Sequence, residues 1–292
     1  MKEKKIMYAI QAQHWKAKLA RKPLEDSLAF DDGKGIAVVA DGVTRDPSVY
    51  LPQTRTGLFW QCLLQYPRPS PAARAAELCT QESLQFIQND WKNNAQDCLD
   101  ALCSANKRIQ MYNESKSIHP ETVDYLINDF AGCTAAVSVR DSLKQKVYYG
   151  YICDSGVAVV DTRGNLVFKS KDEGPATHDP FIWNDEMRAL SWNHPDVRSF
   201  VRAWYRNMPH EPHSFGVLTG EENALPYIRT GTISDLYPEY CILTYTDGAA
   251  EILFDKGDIN GTVADLLREH NWKGLKRLLQ KKIKTEGSLV IS

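Results

Sequence analysis

The order of helix-like and strand-like segments is the feature that most limits how this chain of 292 residues can fold. Residues 72–91 and 95–112 place apolar side chains at the spacing of two amphipathic helices. A period of two then predicts consecutive strands at residues 133–139, 147–153, 157–161 and 166–169. Strands and helices that occur in separate runs favour antiparallel sheets over a parallel βαβ arrangement. We therefore predict an α+β fold.

The rest of the chain adds elements without a visible domain boundary. Further strands are predicted at residues 36–40, 227–233, 240–246 and 289–291, and further helices at 196–207 and 263–283. The block 171–212 contains several prolines and three histidines, and it is predicted to be an insertion that covers a site. Since there is no internal repeat or low-complexity linker, residues 1–292 are predicted to form one domain with this insertion.

Composition excludes several classes of protein. A formal net charge of −2 provides no overall attraction to nucleic acid or to an anionic membrane. The seven cysteines include no pair with the two-residue gap of a zinc or redox motif, which favours free thiols in a reducing cytosol. The sequence shows neither a secretory h-region nor a run of about 18 apolar residues. We therefore predict a soluble, cytoplasmic protein.

Acidic residues stand at or beside the ends of several predicted strands. Asp41 follows the apolar run 36–40, and Asp247 follows the strand predicted at 240–246. A single Asp-Gly pair is also typical of a β-turn, so neither position alone indicates a site. Together, the acids are predicted to gather at the rim of a central sheet, where a ligand can approach. They are Glu25, Asp26, Asp41, Asp154 and Asp247.

Such a group of carboxylates suggests a particular metal chemistry. Clustered carboxylates raise each other's pKa unless cations neutralise them. Mg²⁺ and Mn²⁺ prefer oxygen ligands, and two such ions can lower the pKa of a bridging water that attacks phosphorus. The glycines after Asp41 and Asp247 would let a backbone carbonyl approach an ion. Because the sequence has no H-E-x-x-H motif and no cysteine cluster, it favours magnesium or manganese over zinc.

Six short motifs follow one another along the chain. They are RKPLEDS at 21–27, VVADGV at 38–43, AGCTA at 131–135, YICDS at 151–155, FGVLTG at 215–220 and LTYTDGAAE at 243–251. No motif is specific alone, but six in the correct order are. Together they resemble the metal-dependent type 2C (PPM) serine/threonine protein phosphatases, particularly their bacterial members. The resemblance implies a four-layer α-β-β-α sandwich of two antiparallel sheets flanked by helix pairs.

The resemblance also implies roles for individual residues. Arg21 would bind the substrate phosphate; without the neighbouring Glu25-Asp26 pair, a solvated surface arginine would be the favoured interpretation. Asp41 would bridge two metal ions, with the Gly42 carbonyl as a further ligand. The remaining metal ligands, direct or through water, would be Glu25, Asp26 and Asp247, with Asp154 at a third, weaker position and Glu286 in place of the family's terminal aspartate.

Several residues depart from the family pattern. Val43 stands where some members have a histidine proposed as general acid, and Cys153 replaces the glycine of the G-D-S motif. Asp46 replaces part of a glycine-rich stretch. Glu286 is one methylene longer than aspartate, which would move a ligand by about 1.5 Å in a site that tolerates about 0.5 Å.

The implied function is hydrolysis of phosphoserine or phosphothreonine in proteins, with two Mn²⁺ or Mg²⁺ ions as cofactors and a third position at Asp154. The partners would be a phosphorylated protein and a cognate kinase, with the 171–212 block helping to choose substrates. Two alternatives stay open: a catalytically silent binding module with the same fold, and a phosphatase of a small phosphorylated metabolite. A histidine-based phosphatase is not favoured, because His178, His194, His210 and His213 accompany no nucleophile motif.

Overall fold

The computed structural model describes residues 7–19, 21–43, 66–178, 194–234 and 239–292, together with positions 182, 187, 190 and 236. Asp46, Cys62 and part of the 171–212 block lie outside the described residues. None of the helices within the described ranges is both long enough and apolar enough to cross a bilayer.

Two five-stranded antiparallel sheets form the centre of the protein. The first sheet has the order β2-β3-β4-β5-β8, in which the strands are β2 (Asp26–Asp31), β3 (Ile36–Gly42), β4 (Cys133–Asp141), β5 (Lys146–Ile152) and β8 (Arg229–Ile233). The second has the order β1-β12-β9-β6-β7, with β1 (Tyr8–Gln13), β6 (Gly156–Asp161), β7 (Leu166–Lys169), β9 (Tyr240–Tyr245) and β12 (Glu286–Ile291). Two short strands, β10 (Phe254–Asp255) and β11 (Asp258–Ile259), form a separate hairpin.

Helices cover the outer faces of both sheets. The described α-helices are α1 (Trp15–Leu19), α2 (Pro71–Asp90), α3 (Gln96–Ser115), α4 (Pro195–Tyr205), α5 (Asp247–Leu253), α6 (Gly261–Arg268) and α7 (Trp272–Lys282). Short 3₁₀ helices lie at Pro120–Thr122, Pro175–His178 and Glu222–Tyr227. Ser70 caps α2 by accepting a hydrogen bond from the Ala73 amide at 3.0 Å, and Pro71 occupies the first helical position, where no amide hydrogen is needed.

Three apolar layers hold the sandwich together. Alternate residues of β3 point to opposite faces, so Val38 packs among α2 and α3 while Val39 packs between the sheets. Burial on both faces explains why residues 36–40 are apolar without interruption. The third layer joins the second sheet to α6 and α7 through Leu243, Leu267 and Leu275. The α+β sandwich of two antiparallel sheets is therefore confirmed.

The single helix predicted at 263–283 is wrong, because the chain forms two helices there, α6 and α7. His270 adopts a positive φ of 51°, and Asn271 caps α7 by accepting from the Gly274 amide at 2.9 Å. The break turns the chain so that Leu267 and Leu275 enter the same apolar layer. The sequence interpretation also missed β1, β2, α1 and α5, since their residues show weak periodicity.

Candidate metal centre

The pairing of β2 with β3 brings two of the predicted acids side by side. Asp26 at the start of β2 lies opposite Asp41 near the end of β3, and Asp41 lies opposite Thr134 of β4. Glu286, the first residue of β12, reaches the same place from the other sheet. One carboxylate oxygen from each of Asp26, Asp41 and Glu286 lies within 4.8 Å of the others.

The end of β9 contributes the next acid. Asp247 begins α5, and its charge acts on Asp41 together with those of Asp26, Asp154 and Glu286. Thr246 donates from Oγ1 to Asp26 Oδ2 at 2.7 Å and accepts from the Ser288 amide at 2.9 Å. Asp41 therefore has the central position in the cluster, and the hydroxyl of Thr246 fixes one oxygen of its neighbour.

The turn between β5 and β6 carries Asp154. Its neighbour Cys153 has a φ of 69°, a left-handed conformation that favours glycine and that the family's G-D-S motif satisfies directly. Asp154 Oδ1 is inaccessible to solvent and has no hydrogen-bond partner among the described residues. The Thr134 hydroxyl lies 2.8 Å from that of Ser155, so the strand that pairs with Asp41 also contacts the turn that carries Asp154.

Burial and mutual repulsion raise the pKa of the clustered carboxyl groups. Burial is the largest cause of the shift at Asp26, followed by the charges of Glu286 and Asp247, and the pKa rises to about 8. Burial and then Asp247 raise the pKa of Asp154 to about 7. The pKa of Asp41 is raised well above its usual range by burial and then by Asp26 and Asp247.

These residues fit a hard divalent cation. All donors are oxygens, and the buried Asp26 Oδ1, like Asp154 Oδ1, lacks a hydrogen-bond partner among the described residues. Cations would satisfy these oxygens and remove the repulsion within the group. The donor set matches the preference of Mg²⁺ and Mn²⁺ and lacks the nitrogen and sulfur ligands typical of zinc.

Glu25 lies beside this group and not within it. Its Oε1 accepts from the Tyr66 hydroxyl at 2.7 Å and from Ser70 Oγ at 2.6 Å, while its Oε2 pairs with Lys22 Nζ at 2.9 Å. Lys22 also reaches Glu286 Oε1 at 3.3 Å. Both carboxylate oxygens of Glu25 thus already contact protein groups. Its role as a metal ligand stays a prediction.

Lys22, which the sequence interpretation missed, is kept charged by ion pairs with two glutamates. Burial opposes the charge of its ammonium group, but Glu25 and Glu286 outweigh that effect and raise the pKa. Glu286 Oε2 accepts from the Glu25 amide at 2.6 Å, so the longer glutamate spans from the acidic cluster to this ion pair.

The structure places Arg21 differently from its neighbour. Arg21 is exposed at the turn after α1, with a φ of 53°, whereas Lys22 lines the cavity beside the cluster. The predicted contact of Arg21 with a substrate phosphate is therefore untested and stays a prediction.

Both predicted Asp-Gly glycines are required by close packing. A side chain at Gly42 would collide with the carbonyl oxygen of Ala72 at the start of α2. A side chain at Gly248 would collide with the carbonyl oxygen of Glu286. Glycine thus allows both neighbouring elements to approach the acids, whether or not the Gly42 carbonyl also binds an ion, which stays a prediction.

A cavity of about 240 Å³ opens beside the cluster. Asp41, Asp154, Asp247 and Glu286 line it together with Lys22. Another part of the lining is basic and comes from the 171–212 block: Arg198, Arg202 and Arg206. The sequence interpretation missed these arginines, although their spacing of four residues predicts one face of a helix.

No protein-family model and no curated protein matches the chain. Solved structures do. The PPM Ser-Thr phosphatase MsPP from Mycobacterium smegmatis, crystallised with cacodylate, is 15% identical, with 98% of this chain and 96% of that chain covered and a TM-score of 0.56. The catalytic domain of the phosphatase PstP, in complex with two manganese ions, has the same identity and coverage and a TM-score of 0.55. A bacterial serine phosphatase is 12% identical over 98% of this chain and 96% of its own, with a TM-score of 0.57.

At such identities the likeness establishes the fold. It extends over nearly the whole length of both chains, and it agrees with the six motifs that suggested the same family. The chain therefore has the fold of the metal-dependent PPM phosphatases.

Proposed function

We propose that this chain is a metal-dependent phosphoprotein phosphatase that hydrolyses phosphoserine and phosphothreonine. One observation carries the proposal: one carboxylate oxygen from each of Asp26, Asp41 and Glu286 lies within 4.8 Å of the others, and Asp41 lines a cavity with Asp154 and Asp247. Carboxylates so placed need cations to coexist in their charged form. The fold supports the proposal because structures with the same fold are described as Ser/Thr phosphatases.

The chain's own residues would prepare the site in the following way. Asp26, Asp41 and Asp247 would hold two Mn²⁺ or Mg²⁺ ions, with Asp154 at a third position. When bound, two such cations activate water for attack on phosphorus and stabilise the charge that develops on the phosphoryl oxygens. Thr246 holds Asp26 Oδ2 and leaves Oδ1 for an ion. The described residues that line the cavity include no histidine.

The proposal also covers the substrates, the location of the enzyme and the role of the 171–212 block. The substrates would be phosphorylated proteins made by a cognate kinase, and the enzyme would act in the cytoplasm. The chain would work as one domain, and the 171–212 block would help to select substrates, since Pro175, Arg198 and Arg202 from that block line the cavity.

Hydrolysis of para-nitrophenyl phosphate tests the proposal. The purified protein should turn over with Mn²⁺ or Mg²⁺ and stop with a chelator. Asp41→Asn should abolish turnover, while Asp90→Asn, at an exposed position at the end of α2, should leave it unchanged. Absence of turnover with either metal, in a sample that is folded by circular dichroism, would contradict the proposal.

Phosphopeptides distinguish the proposed substrate class from a small metabolite. A phosphoprotein phosphatase should release phosphate from phosphoserine and phosphothreonine peptides. Activity on small esters together with no release from either peptide would favour a metabolite phosphatase with the same site.

A specific contact favours a second candidate, the catalytically silent binding module. Lys22 places an ammonium group 3.3 Å from Glu286 Oε1, next to the carboxylates that would otherwise meet a cation. In that case, titration calorimetry should detect weak or no Mn²⁺ binding in the wild-type protein, and Lys22→Met should strengthen it. Tight Mn²⁺ binding by the wild type would exclude this candidate.

A further inference from the structure

Arg206 is a buried cation that meets no carboxylate in the part of the chain that the structure describes. The residue is only 2% exposed, and its Nε and Nη2 atoms have no hydrogen-bond partner among the described residues. Burial of a charge without a hydrogen-bonded partner is unfavourable, so such an arrangement requires an explanation. Arg206 nevertheless lines the cavity that contains Asp41 and Asp154.

Two aromatic rings contact this guanidinium group. Its Cζ lies 4.7 Å from the ring centroid of Tyr125 and 5.4 Å from that of Phe130. These cation–π contacts stabilise the charge, and they leave Nε and Nη2 without a hydrogen-bond acceptor among the described residues. Nε and Nη2 are adjacent on one edge, and together they form the two-pronged donor that fits two oxygens of a phosphate.

Backbone hydrogen bonds fix Arg206 from both sides. The Phe215 amide donates to Tyr205 O at 3.0 Å, and the Asn207 amide donates to Phe215 O at 2.9 Å. The fully buried Asn207 then uses its side chain to accept from the Val217 amide at 2.9 Å. Arg206 is therefore held in place before any ligand arrives, which reduces the entropy lost on binding.

The same segment is attached to the strands that carry the acids. Leu218 exchanges two backbone hydrogen bonds of 3.0 Å with Cys133 at the start of β4. Cys133 in turn pairs with Gly42, the residue after Asp41. The position of Arg206 is thus set relative to the carboxylate cluster by regular backbone contacts.

We infer that Arg206 is the phosphate-binding residue of this site, with its Nε and Nη2 edge donating to two oxygens of a phosphoester dianion or of the orthophosphate product. The inference rests on the proposed function only in that the bound phosphate group would be the substrate or the product of that hydrolysis. Arg206 takes the role that the family resemblance gave to Arg21, which is exposed and does not line the cavity. Arg198 and Arg202 line the same cavity and add two basic side chains to its lining.

Binding of inorganic phosphate to the full chain tests this role without depending on catalysis. Titration calorimetry, with and without Mn²⁺, would compare the wild type with Arg206→Met, Arg206→Lys and Arg21→Met. Loss of two charge-assisted hydrogen bonds should weaken phosphate binding about 10- to 100-fold in Arg206→Met. Arg206→Lys keeps the charge but not the paired donors, so its loss should be intermediate. Arg21→Met should stay within about twofold of the wild type.

Thermal unfolding separates this role from a purely structural one. Removing an unpartnered buried charge should leave the melting temperature of Arg206→Met equal to that of the wild type or higher. If Arg206→Met does not fold, Arg206→Lys still reports on the phosphate affinity. Phosphate affinity within twofold of the wild type in the folded Arg206 variants would overturn the inference, and so would a large loss confined to Arg21→Met. A wild type that binds phosphate through Arg206 but hydrolyses no ester would refute the proposed function and leave this inference standing.

Discussion

The metal-free protein should become less stable as the pH rises from 5 to 8. In the unfolded chain an aspartate ionises near 3.8, whereas the folded protein raises the pKa of Asp154 to about 7 and that of Asp26 to about 8. Between those values the folded state keeps protons that the unfolded state has released. Stability therefore falls as the pH rises through this interval. Lys22 does not reverse the trend, because its raised pKa matters only above the ordinary lysine value of 10.5.

The size of the effect follows from Asp154 alone. One pKa unit corresponds to about 1.4 kcal/mol, so the interval from pH 5 to the folded pKa of about 7 removes roughly 3 kcal/mol. Asp26 and Asp41 act in the same direction, but the carboxyls repel one another and titrate as a group, so their contributions do not simply add. For a chain of this length, 3 kcal/mol lowers the melting temperature by about 6 °C.

Thermal unfolding followed by circular dichroism measures this change. Samples with chelator should lose about 6 °C between pH 5 and 8, whereas samples with Mn²⁺ should lose much less, because bound cations stabilise the charged carboxylates. Asp41→Asn removes the central member of the group. It should flatten the pH dependence without metal and abolish the stabilisation by Mn²⁺. A metal-free melting temperature that stays constant or rises over this interval would refute the reasoning.

Two further predictions concern the residues that support the cluster. Gly248→Ala should lower the free energy of unfolding by about 3 kcal/mol in urea denaturation, because a methyl group there collides with Glu286 O. The control Gly261→Ala, with nothing within 4 Å of the added methyl group, should be neutral or slightly stabilising. Lys22→Met should cost about 3–5 kcal/mol in the same assay without metal, because it leaves Glu25 and Glu286 without their cation; an unchanged midpoint would show that the ion pair does not stabilise the fold.

The sequence predicted the two sheets because burial on both faces leaves a clear record. Residues 36–40 are apolar without interruption and form the middle of β3. β1 left no such record, since its polar residues Gln11 and Gln13 alternate with small apolar ones near the edge of the second sheet. The helical break at His270 depends on a positive φ and an Asn271 cap, and no helical period predicts either.

Strand geometry explains which acids meet. Asp41 and Asp26 were predicted at a sheet rim, and antiparallel register places them opposite each other. Adjacent residues in extended backbone point to opposite sides, so Glu25 and Asp26 cannot both face the same ion easily. Glu25 instead meets Ser70 and Lys22. The opposite directions of Glu25 and Asp26 could be predicted from the sequence. The position of Lys22 beside Glu25 and Glu286 could not, because it depends on tertiary packing.

Two of the cations that the sequence interpretation missed, Lys22 and Arg206, differ in a way that assigns them different tasks. Lys22 contacts two carboxylates, so its charge is balanced within the protein and it holds Glu286 near the acidic cluster. Arg206 has no carboxylate partner among the described residues and is held only by aromatic rings and its backbone. A site that must keep its acids in place and still attract a dianion needs one cation of each kind. The paired lysine satisfies the first requirement, and the unpaired arginine is suited to the second.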